Sequence, residues 1–78
     1  MQYSEDAAKC LTSGLNGMAE RDAVWFNPLY REAIDALIDQ GLVVAGNQPN
    51  AQGQTNRIPL SLSPLGFKEA RELRDGGA

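Results

Sequence analysis

The hydrophobic residues at the start of the chain repeat at helical spacing. Ser4 is a good N-cap residue, and acidic residues follow it in the first turn, where they complement the helix dipole. The pattern predicts a helix from Ser4 to about residue 16, weakened at its end by Gly14 and Gly17. Its apolar positions are Ala7, Leu11, Leu15 and Met18.

Residues 18–26 fit two structures. A short helix would turn Met18, Ala19 and Ala23 inward, whereas the β-type residues Val24-Trp25-Phe26 favour an extended segment. We favour a short helix with an extended exit.

The clearest local pattern lies between residues 27 and 41. Asn27 is a good N-cap, Pro28 suits the first helical position, and Gly41 suits the C-terminal end. These residues predict a helix over 28–40. Its apolar stripe comprises Tyr30, Ala33, Ile34, Leu37 and Ile38, and its outer face carries Glu32, Asp35, Ala36 and Asp39.

After Gly41 the hydrophobic period changes to that of strands. Residues 42–45 predict a short strand, residues 46–56 a long polar loop, and residues 57–62 a second strand with apolar side chains at alternate positions. Together they predict a β-hairpin. Pro59 lacks an N–H, so we expect it at an outward-facing edge position.

A second cap and proline, Ser63 and Pro64, predict a last helix that ends at about Arg74. We expect residues 75–78 to form a disordered tail and residues 1–78 to form a single domain. The expected inner face comprises Leu65, Ala70 and Leu73, with Phe67 at its margin, and the outer face carries Lys68, Arg71 and Arg74.

Composition excludes several chemistries. The 78 residues include no histidine and one cysteine, so His-based catalysis, an intramolecular disulfide and most metal sites are excluded. We expect a non-enzymatic protein without cofactor or metal, with Cys10 as a buried, inert thiol. No apolar run is long enough for a membrane span and no signal-like segment begins the chain, which predicts a cytoplasmic protein.

The order of elements resembles that of winged-helix domains: three helices, a hairpin and a closing helix. Residues 33–43 resemble the last helix and first wing strand, and residues 60–66, Leu-Ser-Leu-Ser-Pro-Leu-Gly, resemble the second wing strand and its entry to a C-terminal helix. The resemblance covers about half of the chain, residues 33–73. It implies an α+β, winged-helix-like fold, and a function in binding DNA or docking a protein.

The charge pattern favours protein over DNA. The net charge of −3 opposes attraction to phosphates, and Glu32, Asp35 and Asp39 lie on the helix that DNA-binding members insert into the major groove. The predicted loop 46–56 has no charge with which to grip DNA. The acidic face is either a solvated surface or a patch that docks a basic protein.

Other residues offer further contacts. Trp25 and Tyr30 either anchor the core or bind the partner. If nucleic acid is bound instead, the residues that suit it are Asn27, Arg31, Arg57, Lys68 and Arg71.

We therefore expect a small interaction protein that binds a basic macromolecular surface, as monomer or homodimer and without a membrane. A small acidic protein can occupy a site meant for nucleic acid, as some phage-encoded inhibitors do, anti-CRISPR proteins among them. The alternative is a winged-helix transcription regulator that binds DNA as a dimer.

Overall fold

The computed structural model describes residues 3–76 and shows a small α+β fold of four helices and a two-stranded hairpin. This confirms the predicted order of elements. Asp75 still belongs to the last helix and Gly76 forms a turn, whereas residues 77–78 of the predicted tail lie outside the described residues. The elements are α1 (Glu5–Ser13), α2 (Met18–Trp25), a 3₁₀ turn (Pro28–Tyr30), α3 (Arg31–Asp39), β1 (Val43–Pro49), β2 (Thr55–Leu62) and α4 (Pro64–Asp75).

Two helices and the 3₁₀ turn begin at the predicted caps, but the helix predicted over 28–40 is α-helical only over Arg31–Asp39, because its first turn is the 3₁₀ turn. The Ser4 hydroxyl accepts a hydrogen bond from the Ala7 N–H at 3.2 Å, and the Ser63 hydroxyl accepts one from the Gly66 N–H at 3.0 Å. The Asn27 carboxamide oxygen accepts the Leu29 N–H in the same way. Each bond satisfies an N–H that the first helical turn leaves without a backbone partner.

The end of α3 also follows local chemistry. Gly41 adopts φ +77°, a left-handed conformation that glycine reaches without a Cβ clash. Its N–H donates to the carbonyl of Ile38, and the next N–H, of Leu42, donates to the carbonyl of Leu37. This pair of bonds is a Schellman motif, which ends the helix and turns the chain into β1.

The core forms where α1 packs against the other three helices. From α3 it receives Ile34 and Leu37, which are fully buried, while Tyr30, Ala33 and Ile38 are half-buried, so the predicted stripe is confirmed. The buried residues are Ala7, Cys10, Leu11, Trp25, Ile34, Leu37, Leu42, Val43, Leu62 and Ala70.

The α2 segment differs from the prediction in two ways. The helix continues through Trp25 without an extended exit, and the predicted inward face is wrong, because Met18, Ala19 and Ala23 are all exposed. Trp25 is buried instead, and its indole N–H donates to the carbonyl of Cys10 at 2.8 Å. Burying the largest apolar side chain, with its one polar atom satisfied, outweighs burying two alanines and a methionine.

The hairpin is longer than predicted. Most of the expected loop 46–56 belongs to β1 and β2, and only residues 50–54 connect the strands. In that turn the Asn50 carboxamide oxygen accepts the N–H groups of Gln52 and Gln54, and Gly53 takes φ +79°. Polar residues extend the strands because the backbone ladder is independent of side-chain hydrophobicity.

Two side-chain placements also differ. The strand of Pro59 is an edge strand as expected, but the residue is buried where β2 carries one extra residue relative to β1. In α4, Ala70 is buried and Leu73 half-buried as predicted, whereas Leu65 is half exposed and Gly66 is buried against the Leu42 backbone. A residue without a side chain allows α4 to approach the α3–β1 turn closely.

Candidate functional site

The outer face of α3 is joined to the hairpin by ion pairs. The Oδ1 atom of Asp35 lies 3.2 Å from Nη2 of Arg31, one helical turn before it, and 3.4 Å from Nη2 of Arg57 on β2. The other terminal nitrogen of Arg57 donates to Asp39, and Arg31 donates to the backbone carbonyl of Arg57 at 3.0 Å. Two arginines and two aspartates therefore connect helix and strand.

This network changes the predicted acidic face. Asp35 is only 34% exposed at its side chain, and its Oδ1 is shielded from solvent without a well-aligned hydrogen bond, so the two arginines hold it by charge. The side-chain hydrogen bond with Asp39 raises the pKa of Arg57 above its ordinary value. Among residues 3–76, Glu32 makes no ion pair or hydrogen bond, so it alone of the three carboxylates is fully available to a partner.

Beside the network runs an exposed line that joins two residues of the predicted outer face, Glu32 and Ala36, to Leu29 and Gln40. Leu29 is 80% exposed, and Glu32, Ala36 and Gln40 follow at intervals of three or four residues, all exposed. This spacing places them on one side of the 3₁₀ turn and α3. We call these four residues the α3 outer line; the signal that could have found it is a leucine outside the apolar stripe of its own helix.

The aromatic candidates do not join this surface. Trp25 is 1% exposed and belongs to the core, so its prediction as a partner contact is wrong. Tyr30 is half-buried against the core, with the Lys9 ammonium 5.7 Å from its ring centroid. The alternative that these residues anchor the small core is the one that the structure supports.

The residues predicted for nucleic acid are dispersed. Asn27 caps the 3₁₀ turn, and Arg31 and Arg57 are bound to carboxylates. Lys68 and Arg71 are exposed on α4, where Arg71 lies 5.9 Å above the ring of Phe67. No ion pair or hydrogen bond in the described part of the chain connects Lys68 or Arg71 to the network on α3.

Two titratable groups with raised pKa values, one buried and one half-buried, lie away from this face. Burial raises the pKa of the Cys10 thiol to about 11, with a smaller contribution from Asp6. Burial and a 2.7 Å hydrogen bond to Glu69 raise the pKa of Tyr3 to about 12. The predicted burial of Cys10 is confirmed, and at neutral pH its thiol stays protonated.

Within residues 3–76 we find no enclosed cavity and no cluster of three or more His, Cys, Asp or Glu side chains suited to a metal. Over the same residues no helix has both the length and the hydropathy to span a bilayer. Comparison with protein-family models, with curated proteins and with solved structures gives no match. The geometry of the α3 face is therefore the main guide to function.

Proposed function

We propose that this protein is a winged-helix-like docking module that binds a basic protein surface through the α3 outer line. One observation carries the proposal. Both arginines on this face, Arg31 and Arg57, are already bound to carboxylates, so the exposed groups that lie outside the ion-pair network include the carboxylate of Glu32 and the apolar side chains of Leu29 and Ala36. The winged-helix interpretation is supported by the order of three helices, a hairpin and a closing helix.

This surface suits a protein partner better than nucleic acid. Affinity for DNA depends on free cations that neutralise phosphates, and on α3 the cation of Arg31 is occupied. A basic protein surface instead gains from attraction to the Glu32 carboxylate and from burying the apolar side chain of Leu29, which is 80% exposed. The partner class that we propose is a basic, nucleic-acid-binding surface that this protein would cover and so inhibit.

Glu32→Lys tests the proposal without disturbing the fold. Glu32 makes no contact that the ion-pair network needs, whereas changing Asp35 or Asp39 would also release Arg57. We expect a purified basic partner captured by the wild type to bind the variant at least about tenfold more weakly, since like charges at an interface repel.

Glu20→Lys is the matched control, because it makes the same charge change on an exposed position of α2. Partner affinity should be close to that of the wild type. Equal weakening by both variants would show that only net charge matters. Duplex DNA is the second probe: tight binding that weakens steeply with salt would overturn the proposal in favour of a DNA-binding regulator.

A further inference from the structure

The two edges of the hairpin are protected differently. Along β2, Arg21 on α2 donates to the carbonyl of Leu60 at 3.1 Å, and Arg31 on α3 donates to the carbonyl of Arg57 at 3.0 Å. Both carbonyls point away from β1, since they bond to groups outside the hairpin. Arginines therefore cover the free edge of β2.

The free edge of β1 can be located from hydrogen bonds at the two ends of the hairpin. The carbonyl of Leu42 accepts the Ser63 N–H at 3.0 Å, and the backbone carbonyl of Gln54 accepts the Asn50 N–H at 2.7 Å. The extra residue at the bulge is on β2, so the alternation along β1 is unbroken. Because the hydrogen bonds of an antiparallel pair alternate, the backbone N–H and C=O groups of even-numbered β1 residues point toward β2. Those of odd-numbered residues point away from it.

The accessible part of this edge is short. Val43 is buried, and Pro49 has no N–H to donate, so Ala45 and Asn47 offer the outward N–H and C=O groups. No residue in 3–76 outside the hairpin hydrogen-bonds to them. Gly46 lies between them with no side chain above the strand.

The chemistry of this edge permits a second copy to approach. Exposed edges are usually blocked by charges, lysine above all, yet residues 43–56 contain no charged side chain. The whole protein carries a charge of −3, so two copies repel each other, but residues 43–56 add no charge to that repulsion. On the outer hairpin face, Val44 and Leu60 are about half exposed, and Leu60 lies beside the space over Gly46.

We propose that β1 pairs in antiparallel fashion with β1 of a second copy of this chain. Ala45 of each copy then exchanges hydrogen bonds with Asn47 of the other, and the two Gly46 residues meet at the twofold axis. The result is a four-stranded sheet with the apolar side chains of Val44 and Leu60 from both copies on one face. The contact is smaller than a standard interface, so the dimer is weak and reversible.

Sedimentation equilibrium across a wide concentration range tests this pairing. The wild type should show a monomer–dimer equilibrium that strengthens with added salt, because salt screens the repulsion between two negative molecules. Docking to a basic partner responds to salt in the opposite direction, so the two proposals fail independently. Amide exchange at Ala45 and Asn47 should slow as concentration rises.

Asn47→Lys should weaken the dimer by roughly tenfold or more, since it brings like charges to the twofold contact. Asn56→Lys is the control. It adds the same charge on β2, where Asn56 pairs with Gln48, away from the free edge of β1, and should leave the dimer nearly unchanged. Asn47→Pro removes an outward N–H without removing a hydrogen bond of the hairpin, and it should also weaken association. A monomer at every concentration, or a dimer indifferent to both changes at Asn47, would overturn the proposal.

Discussion

Gly66 occupies the closest approach between α4 and the rest of the fold. A Cβ built at this position would lie 1.9 Å from the carbonyl oxygen of Leu42 and 2.9 Å from its carbonyl carbon. Because both belong to backbone, no side-chain rotation relieves the clash. In Gly66→Ala, α4 and the α3–β1 turn must separate by about 1 Å before even a tight contact is restored.

That displacement also disturbs the hydrogen bonds that hold the junction. The Leu42 carbonyl accepts the Ser63 N–H at 3.0 Å, and the Ser63 hydroxyl donates to the carbonyl of Gly41. Overpacking costs about 1–3 kcal/mol, weakened bonds add about 1 kcal/mol, and alanine returns about 1 kcal/mol of helix propensity. We expect a net loss of about 1–3 kcal/mol, which lowers the midpoint of thermal unfolding by roughly 5–20 °C in a domain of this size.

Two other glycines provide a graded series. A Cβ at Gly14 would lie 2.7 Å from side-chain atoms of Leu62 and 3.0 Å from the ring of Trp25, whereas a Cβ at Gly17 meets nothing within 4 Å. Side chains yield more readily than backbone, so Gly14→Ala should cost less than Gly66→Ala. Gly17→Ala should cost no more than about 0.5–1 kcal/mol, because it meets no clash and alanine is only a poorer N-cap than glycine.

Urea unfolding of the three variants, followed by far-UV circular dichroism and by the fluorescence of the single tryptophan, measures this order. The slopes with urea should agree, so that the midpoints report stability. If Gly66→Ala were as stable as Gly17→Ala, the close packing of α4 on the α3–β1 turn would be refuted.

Two further predictions concern titration and the ion-pair network. The pKa of Cys10 is near 9 in an unfolded chain and about 11 in the fold, so the unfolded state loses its proton first and stability should fall as pH rises from 9 to 11. Cys10→Ala should remove this part of the decline, which urea titrations at pH 8 and pH 10.5 measure. If the variant lost as much stability between these pH values as the wild type, the prediction would be wrong. Arg57→Gln should lower the free energy of unfolding, because it releases Asp35 and Asp39. The difference from the wild type should shrink in about 1 M salt, which screens ion pairs at the surface. A difference independent of salt would show that packing, not charge, holds β2 to α3.

The candidate site could be predicted only in part from the sequence. The spacing of Glu32, Asp35 and Asp39 correctly places them on the polar side of α3, because that follows from helical periodicity. Periodicity does not show which of these carboxylates are free to bind a partner, since Arg57 pairs with two of them from a strand eighteen or more residues away. Residues that pair across elements are neighbours only after folding.

Local chemistry in the sequence determined where α1, the 3₁₀ turn and α4 begin and where α3 ends. The caps Ser4, Asn27 and Ser63 and the stop at Gly41 act through hydrogen bonds within a few residues, so they form with the same partners wherever the helices pack. The tertiary structure alone decided the burial of Trp25, the length of the hairpin and the pairing of Asp35. Each of these depends on a choice between competing contacts, such as one tryptophan against several small residues, and that choice is made by the packing of the whole core.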